Sequence, residues 1–282
     1  MSDTPDYLEI GDACCRLYRE APSWGGQRTA AIGEFRCADP AAGAALLSRA
    51  GEVLSREGFE ALIGPMDGDT WHRYRLVTDS DGSPPFLLEP VSAPHDQQAF
   101  VASGFAPIST YVSTRARLDE TVSIKPGRLD GITVRAWDGD DAERLLEALF
   151  DMSLSSFAAN PFYKPISRQA FLALYRPILP AIDPRLLLFA HDADGLAGFL
   201  FGIPDLAEGD KPRTAIVKTY ASRRRGVGRQ LLDTFHHSAG DLGFTDVIHA
   251  LMHENNQSLN SSRRYGAEVF RRYALMGRRL AE

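Results

Sequence analysis

Residues Ala221 to Leu232 read ASRRRGVGRQLL, three consecutive arginines and a Gly-Val-Gly at the mouth of an apolar stretch. The leucines that follow predict a helix, so Gly226 and Gly228 fall in its first turn. A helix start leaves about four backbone N–H groups unpaired, and the aligned peptide dipoles add partial positive charge there. Glycine lets a ligand approach that backbone closely. Arg223, Arg224, Arg225 and Arg229 add cationic forks that match phosphate oxygens. The chemistry is anion binding, and the anion it suits is a phosphate. Two common phosphate patterns are excluded. No G-x-x-x-x-G-K-[ST] occurs, and Leu231 stands where G-x-G-x-x-G needs its third glycine.

The elements that must position this turn follow from periodicity. TAIVKTYA (Thr214 to Ala221) is a strand that leads directly into it, and the helix behind it runs to about Asp241. Upstream, ITVRAW (Ile132 to Trp137) is a strand and DDAERLLEALFDMSLSSF has helical spacing, stopped by Asn160-Pro161. A second helix begins behind Ser167, and RLLLFAHDADGLAGFLFGIPD is a hairpin turning at Asp194-Gly195. Downstream come the strand TDVIHALMH, a short helix from about Asn256 to Tyr265, and a last strand from Glu268 to about Arg279. The order is β-α-α-β-β-β-α-β-α-β.

The chain also repeats itself. GAALLSRAGEVLSREGF from Gly43 matches GRQLLDTFHHSAGDLGF from Gly228 without gaps, at a constant offset of 185 positions. Both carry a Leu-Leu pair, both end on Gly-Phe, and both run into a short apolar strand ending near Met66 or Met252. The polar segment RARLDETVSIKPGRLDG lies between the halves and reads as a linker. The expected organisation is a first domain over 1–118, a linker over 119–130 and a second domain over 131–282. In the first half GQRTAAIGEFRC reads as a strand, Ala41 to Glu57 as a helix, and AFVASGF and ISTYVST as a closing helix and strand.

Bulk composition bounds the function. The 282 residues are 44% hydrophobic and carry a formal net charge of -6. That argues against general nucleic-acid binding, which needs a basic surplus. No stretch of about 18 apolar residues exists to cross a membrane. The opening MSDTPDYLEI is acidic and unlike a secretion signal. Cys14, Cys15 and Cys37 are few and odd in number, so no disulfide framework and a reducing, cytoplasmic setting are expected.

Arg223-x-x-Gly226-x-Gly228 is the [RQ]-x-x-G-x-[GA] signature of the GNAT acyltransferases (GCN5-related N-acetyltransferases). The second half resembles that superfamily over about residues 131 to 282. The element order is similar too, as is Asn255-x-x-Ser258 followed by Gly266. The repeat extends the resemblance to a tandem arrangement, two GNAT-like α/β units with a degenerate first half. Arg223, Gly226 and Gly228 fall on Ala38, Ala41 and Gly43 at the offset of the repeat, and Asp39 brings negative charge to that seat.

The resemblance implies acetyl-CoA as co-substrate and acetyl transfer to the amine of a small molecule by direct attack. The amides of Arg224, Arg225, Gly226, Val227, Gly228 and Arg229 would cradle the pyrophosphate, with Arg223 beside them. The strand before the loop would splay from its neighbour to admit the pantetheine arm. A backbone N–H within Thr219 to Ala221 would serve the oxyanion, and Asn255 would hold the arm from the far side. His253 and Glu254 are the implied proton acceptors, with His249 on the same strand. Strand alternation predicts that His249 and His253 share a face and Glu254 points opposite. The thiol's proton donor is often a Tyr on the short helix, but Ser262 stands there. Tyr265, Tyr220 or water are the substitutes. A second departure is the lone Ser222 between TYA and Arg223, where a longer Val-x-Pro turn is usual. DGDTWHRYRL and NPFYKPI are the acceptor-side segments.

No metal is implied, since His249 and His253 on a strand lack a third ligand, and no cysteine lies in the right half to act as nucleophile. The expected partners are the acceptor alone, with no nucleic acid or membrane, in a monomer or homodimer. A transferase of longer acyl groups or of charged tRNA, or an acyl-CoA sensor without turnover, also fits.

Overall fold

The computed structural model describes residues 6–122 and 127–280. The first half contains β1 (Tyr7–Ile10), β2 (Ala13–Tyr18), β3 (Thr29–Arg36), α1 (Pro40–Arg56), β4 (Ala61–Gly64), β5 (Leu76–Ser80), α2 (Asp96–Ala102), β6 (Ala106–Arg117) and α3 (Leu118–Thr121). The second contains β7 (Thr133–Ala136), α4 (Ala142–Phe157), α5 (Arg168–Tyr175), β8 (Leu187–Asp192), β9 (Gly195–Pro204), β10 (Thr214–Ser222), α6 (Val227–Asp241), β11 (Asp246–His253), α7 (Gln257–Arg264) and β12 (Glu268–Arg279). The second half keeps the order its periodicity predicts. The β1–β2 hairpin and β5 carry no strong pattern in the sequence and were not expected.

Short polar side chains start most of the longer helices. Asp39, Asp141, Ser167 and Asn256 each accept an N–H from the first turn of α1, α4, α5 and α7. Helix α6 differs: its N-cap is Gly226, in the left-handed region at φ 89, with no side chain capping it. Its apolar stripe of Val227, Leu231, Leu232, Phe235 and Ala239 is fully buried beneath the sheet.

All twelve strands join in one sheet, in the order β1-β2-β3-β4-β12-β6-β11-β10-β9-β8-β7, with β5 added to β12. Two pairs are parallel, β3 with β4 across α1 and β10 with β11 across α6. They are the repeated units. The last strand of each half crosses over: β6 pairs with β11, and β12 pairs with β4. The two halves divided at 118 and 131 therefore share strands rather than forming separate sheets. The reason is packing. β6 and β12 pair with each other over Ala106–Arg115 and Glu268–Gly277, and each fills the open edge of the other half's parallel pair.

The apolar core follows the same plan. One cluster lies under α1, a second under α6, and a third between α4, α5 and the sheet. Trp71 from the first half enters the third cluster, edge-on to Phe157, Tyr163 and Phe171, and its indole N–H donates to the Lys164 carbonyl at 2.9 Å. DGDTWHRYRL and NPFYKPI are thus in contact. Residues 123–126 of the expected linker lie outside the described residues. The rest of it rests on α6: Gly127 N–H donates to Asp233 at 2.9 Å, and Leu129 N–H to Gln230 Oε1 at 3.1 Å. No helix among the described residues is long and apolar enough to cross a membrane.

Candidate functional site

The arginine-glycine turn sits at the C-terminal end of β10. Arg223 N–H donates to Ala197 O at 2.9 Å and Val227 N–H to Arg224 O at 3.3 Å. The amides of Arg224, Arg225, Gly226 and Gly228 find no acceptor among the described residues. With no side-chain cap on α6, these N–H groups and the helix dipole point at solvent together. The side chains of Arg223, Arg224 and Arg225 are exposed around them. Arg229 leans back along the helix, 3.7 Å from Asp233. Leu129 packs against Gly226, where a Cβ would meet it at 3.1 Å.

Below this turn the two parallel strands part. β10 and β11 pair from Thr214↔Asp246 to Val217↔His249 and no further. Beyond that point β10 stays on β9 and β11 stays on β6, so a V-shaped gap opens. A bulge marks the divergence on each strand, at Lys218 on β10 and between His249 and Met252 on β11, where Leu251 takes φ 56. The bond from Arg223 to Ala197 fixes the alternation along β10. Thr219 and Ala221 are the bonded partners of β9, so the N–H and C=O of Tyr220 face the gap.

The Tyr220 side chain leans to the α6 and α7 side. Its ring lies against Gly228, and its hydroxyl is beside Ser261 and Ser258 of α7. Burial pushes that phenol up to about 12, against a downward pull from the two serines. It is protonated at neutral pH.

The implied proton-transfer residues of β11 and α7 are placed differently from one another. The bulge at Leu251 breaks the alternation, so His249 and His253 do not share a face, contrary to the strand pattern. His249 is buried toward α6, with Nε2 2.9 Å from His236 Nε2 and Nδ1 2.6 Å from Ser262 Oγ. Burial pushes it down to about 4. Ser262 continues the chain to Thr114 at 2.5 Å. His253 lies on the opposite face, edge-on to Tyr111, and burial together with Arg75 lowers it. Its Nδ1 accepts the Asn255 N–H at 3.1 Å, which assigns the proton of the neutral ring to Nε2. Glu254 is held by Arg272 at 2.8 Å and Thr110 at 2.7 Å. Tyr265 is buried and donates to Asp233 at 2.5 Å, which directs its hydroxyl at α6 rather than the gap.

Sequence reasoning missed a polar cluster between the two halves. Lys218, at the point of the V, donates to Leu88 O at 2.9 Å. Burial, with Arg75 adding to it, pushes its amine down to about 8. Arg271 is paired with Glu89 at 2.5 Å, and Tyr273 donates to the same carboxylate. Arg75 lies in the corner made by the rings of Tyr74 and Tyr111, which stand at 88° to each other. These residues are far apart in the chain and meet only through the strand exchange.

The first half shows what a closed version of this site looks like. The Asp39 carboxylate occupies the N-terminus of α1. Its gap is bridged too: Met66 N–H donates to Ile32 O at 2.8 Å and Glu34 N–H to Asp67 Oδ1 at 2.8 Å. Among the described residues, the group of side chains that brings metal-ligand atoms together is Cys37, His95 and Asp96, also in this half.

This architecture is the tandem GNAT fold. The structure is similar to a GCN5-related N-acetyltransferase from Sphaerobacter thermophilus, with a TM-score of 0.57 and 16% identity over 96% of this chain and 78% of that one. It is also similar to a tandem GNAT protein from the clavulanic acid biosynthesis pathway, with a TM-score of 0.55 and 14% identity over 99% and 85% of the two chains. No protein-family model matches the chain, and no curated protein does.

Proposed function

We propose that this protein transfers an acetyl group from acetyl-CoA to the amine of a small molecule, by direct attack and without a covalent enzyme intermediate. The observation that carries the reading is the parting of β10 and β11 directly beneath an uncapped helix N-terminus with four unpaired amides. Those amides, at Arg224, Arg225, Gly226 and Gly228, hold the diphosphate, and the guanidinium groups of Arg223, Arg224 and Arg225 close around it. The free edge of β10 at Tyr220 receives the pantetheine arm as an added strand. Thr219 and Ala221, expected to share that work, direct their backbone bonds at β9 instead.

When bound, acetyl-CoA supplies the activated acyl group. The chain's own residues move protons. Lys218 Nζ, neutral above about pH 8, takes the proton from the acceptor ammonium. The Tyr220 hydroxyl is the donor for the departing sulfur. His253, with its proton on Nε2, donates a hydrogen bond on the acceptor side. Glu254 and Tyr265 are structural, tied to Arg272 and Asp233.

Calorimetry with acetyl-CoA, longer acyl-CoAs and free CoA tests the donor, followed by thiol release with an amine panel. The expected result is heat with every CoA species and release only when an amine is present. No heat with any of them removes the reading. Binding without release leaves an acyl-CoA-binding module.

A further inference from the structure

Arg75 is a buried cation without a counter-ion. It is 9% exposed, and among the described residues no carboxylate lies within ion-pair distance of it. Its guanidinium carbon is 4.0 Å from the centre of the Tyr74 ring and 3.9 Å from that of Tyr111, and one nitrogen bonds the Tyr74 hydroxyl. The Nε is buried and has no hydrogen-bond partner. The backbone is held at φ 87, in the left-handed region, with the N–H donating to Pro65 O at 3.0 Å. Both the unpaired buried charge and the left-handed backbone cost stability. The neighbouring Arg271 is the contrast, with Glu89 at 2.5 Å and Asp81 at 3.6 Å.

The position of Arg75 gives this a direction. Tyr111, on which it stacks, pairs with His253 across β6 and β11, on the sheet face away from α7. The charge of Arg75 acts on both His253 and Lys218, the two basic groups on the acceptor side of the gap. It therefore lies beside the place where an acceptor amine meets the donor. Glu89 and Glu254 act on the same two groups but are already held, by Arg271 with Tyr273 and by Arg272, so among the described residues no carboxylate is left to pair with Arg75.

We propose that Arg75 is the seat for a carboxylate of the acceptor, held in the corner of the Tyr74 and Tyr111 rings, so that the acceptor is an amino-acid-like molecule carrying amine and carboxylate together. This rests on reading the gap as the acyl-donor site. Guanidinium and carboxylate match in a two-pronged hydrogen-bonded pair, and burial strengthens it. The Tyr rings hold the fork in one orientation, which preorganises the pair before the acceptor arrives.

The test uses the L-amino acids, each beside its own carboxamide, on the full-length protein. With acetyl-CoA as donor, the acids are expected to exceed the amides in kcat/KM by roughly 10- to 100-fold, the worth of one charged hydrogen-bonded contact. R75G removes the cation at a φ that glycine adopts freely, so it folds. It is expected to abolish the preference, mainly through KM, and to leave the acetyl-CoA Kd unchanged. R75K keeps the charge without the fork and recovers part of it. Equal use of acids and amides, a preference that survives in R75G, or better use of phosphoethanolamine overturns the proposal. Thermal shift with the same pairs and no donor scores the seat by itself. Stabilisation by acids alone supports the seat even where calorimetry finds no CoA binding, and its absence sinks the seat where CoA does bind.

Discussion

Tyr220 and Lys218 lie two residues apart on β10, and each carries a distinct expectation. Replacing Tyr220 with Phe keeps the ring against Gly228 and deletes only the hydroxyl beside Ser258 and Ser261. The expected effect is a fall in kcat of about 100-fold with the acetyl-CoA Kd unchanged, read by thiol release and calorimetry. An unaltered kcat removes Tyr220 as proton donor. For Lys218 the sign is set by its depressed value of about 8. Below that pH the amine is charged and accepts nothing, so kcat/KM rises as pH climbs through about 8. K218R, which cannot deprotonate in this range, loses that rise along with most of the activity. A wild-type profile flat from pH 6 to about 9 contradicts the assignment. Tyr220 was legible in the chain as one substitute donor beside Tyr265 and water, while nothing in the chain marked Lys218. The Tyr220 backbone faces the gap only because Lys218 bulges, and no local pattern announces that bulge.

At the scale of elements, α6 begins without a side-chain cap, and the proposed donor seat rests on that. Gly226 adopts φ 89 and touches Leu129. G226A introduces a left-handed strain of about 1–2 kcal/mol and crowds Leu129. The loop is expected to shift, lowering both the melting temperature and acetyl-CoA affinity, the latter by about tenfold or more. A variant that binds the donor as wild type would show that these amides are not the seat. The packing of α6 on β11 carries a different liability, the buried neutral pair His236 and His249. Burial lowers both, His249 to about 4. The unfolded chain takes up protons near pH 6.5, before the folded one does. Stability is therefore whole above that pH and lost as pH falls toward 4, by about 3 kcal/mol for His249 alone. Urea melts at pH 7 and pH 5 should show the drop, and H249Q should shrink it. The elements were largely readable where their causes are local. Ser167 caps α5, the hairpin turns at Ala193-Asp194 one residue before the Asp194-Gly195 expected, and the contiguous Arg-Gly motif marks the loop. What escaped was the short β1–β2 hairpin at the sheet's edge, whose first strand is largely exposed and carries no strong pattern, the bulge at Leu251 that turns His253 away from His249, and Arg75, which reaches Tyr111 only through tertiary pairing.

The whole molecule is held by two exchanged strands, and that makes each half depend on the other. Cut at residues 118 and 131, each fragment loses the strand that closes its sheet, since β6 belongs to β11 and β12 to β4. Each piece alone should be insoluble or unfolded by circular dichroism, while co-expression should return a soluble pair. Independent folding of residues 131–282 would contradict the exchange. The first half, with Asp39 capping α1 and its gap bridged by Met66, brings Arg75 against Tyr111, the partner of His253 across the sheet. A final consequence concerns the ribosome. β4 waits for β12, which follows β1 to β11 in the chain, so the N-terminal sheet stays unsealed until the second half has been made. Vectorial folding, first half then second, is closed to this chain. Its nascent form leaves the edge of β4 bare until β12 emerges, whereas β11 finds β6 already made, and a chaperone that shields such an edge is the helper its production should most depend on.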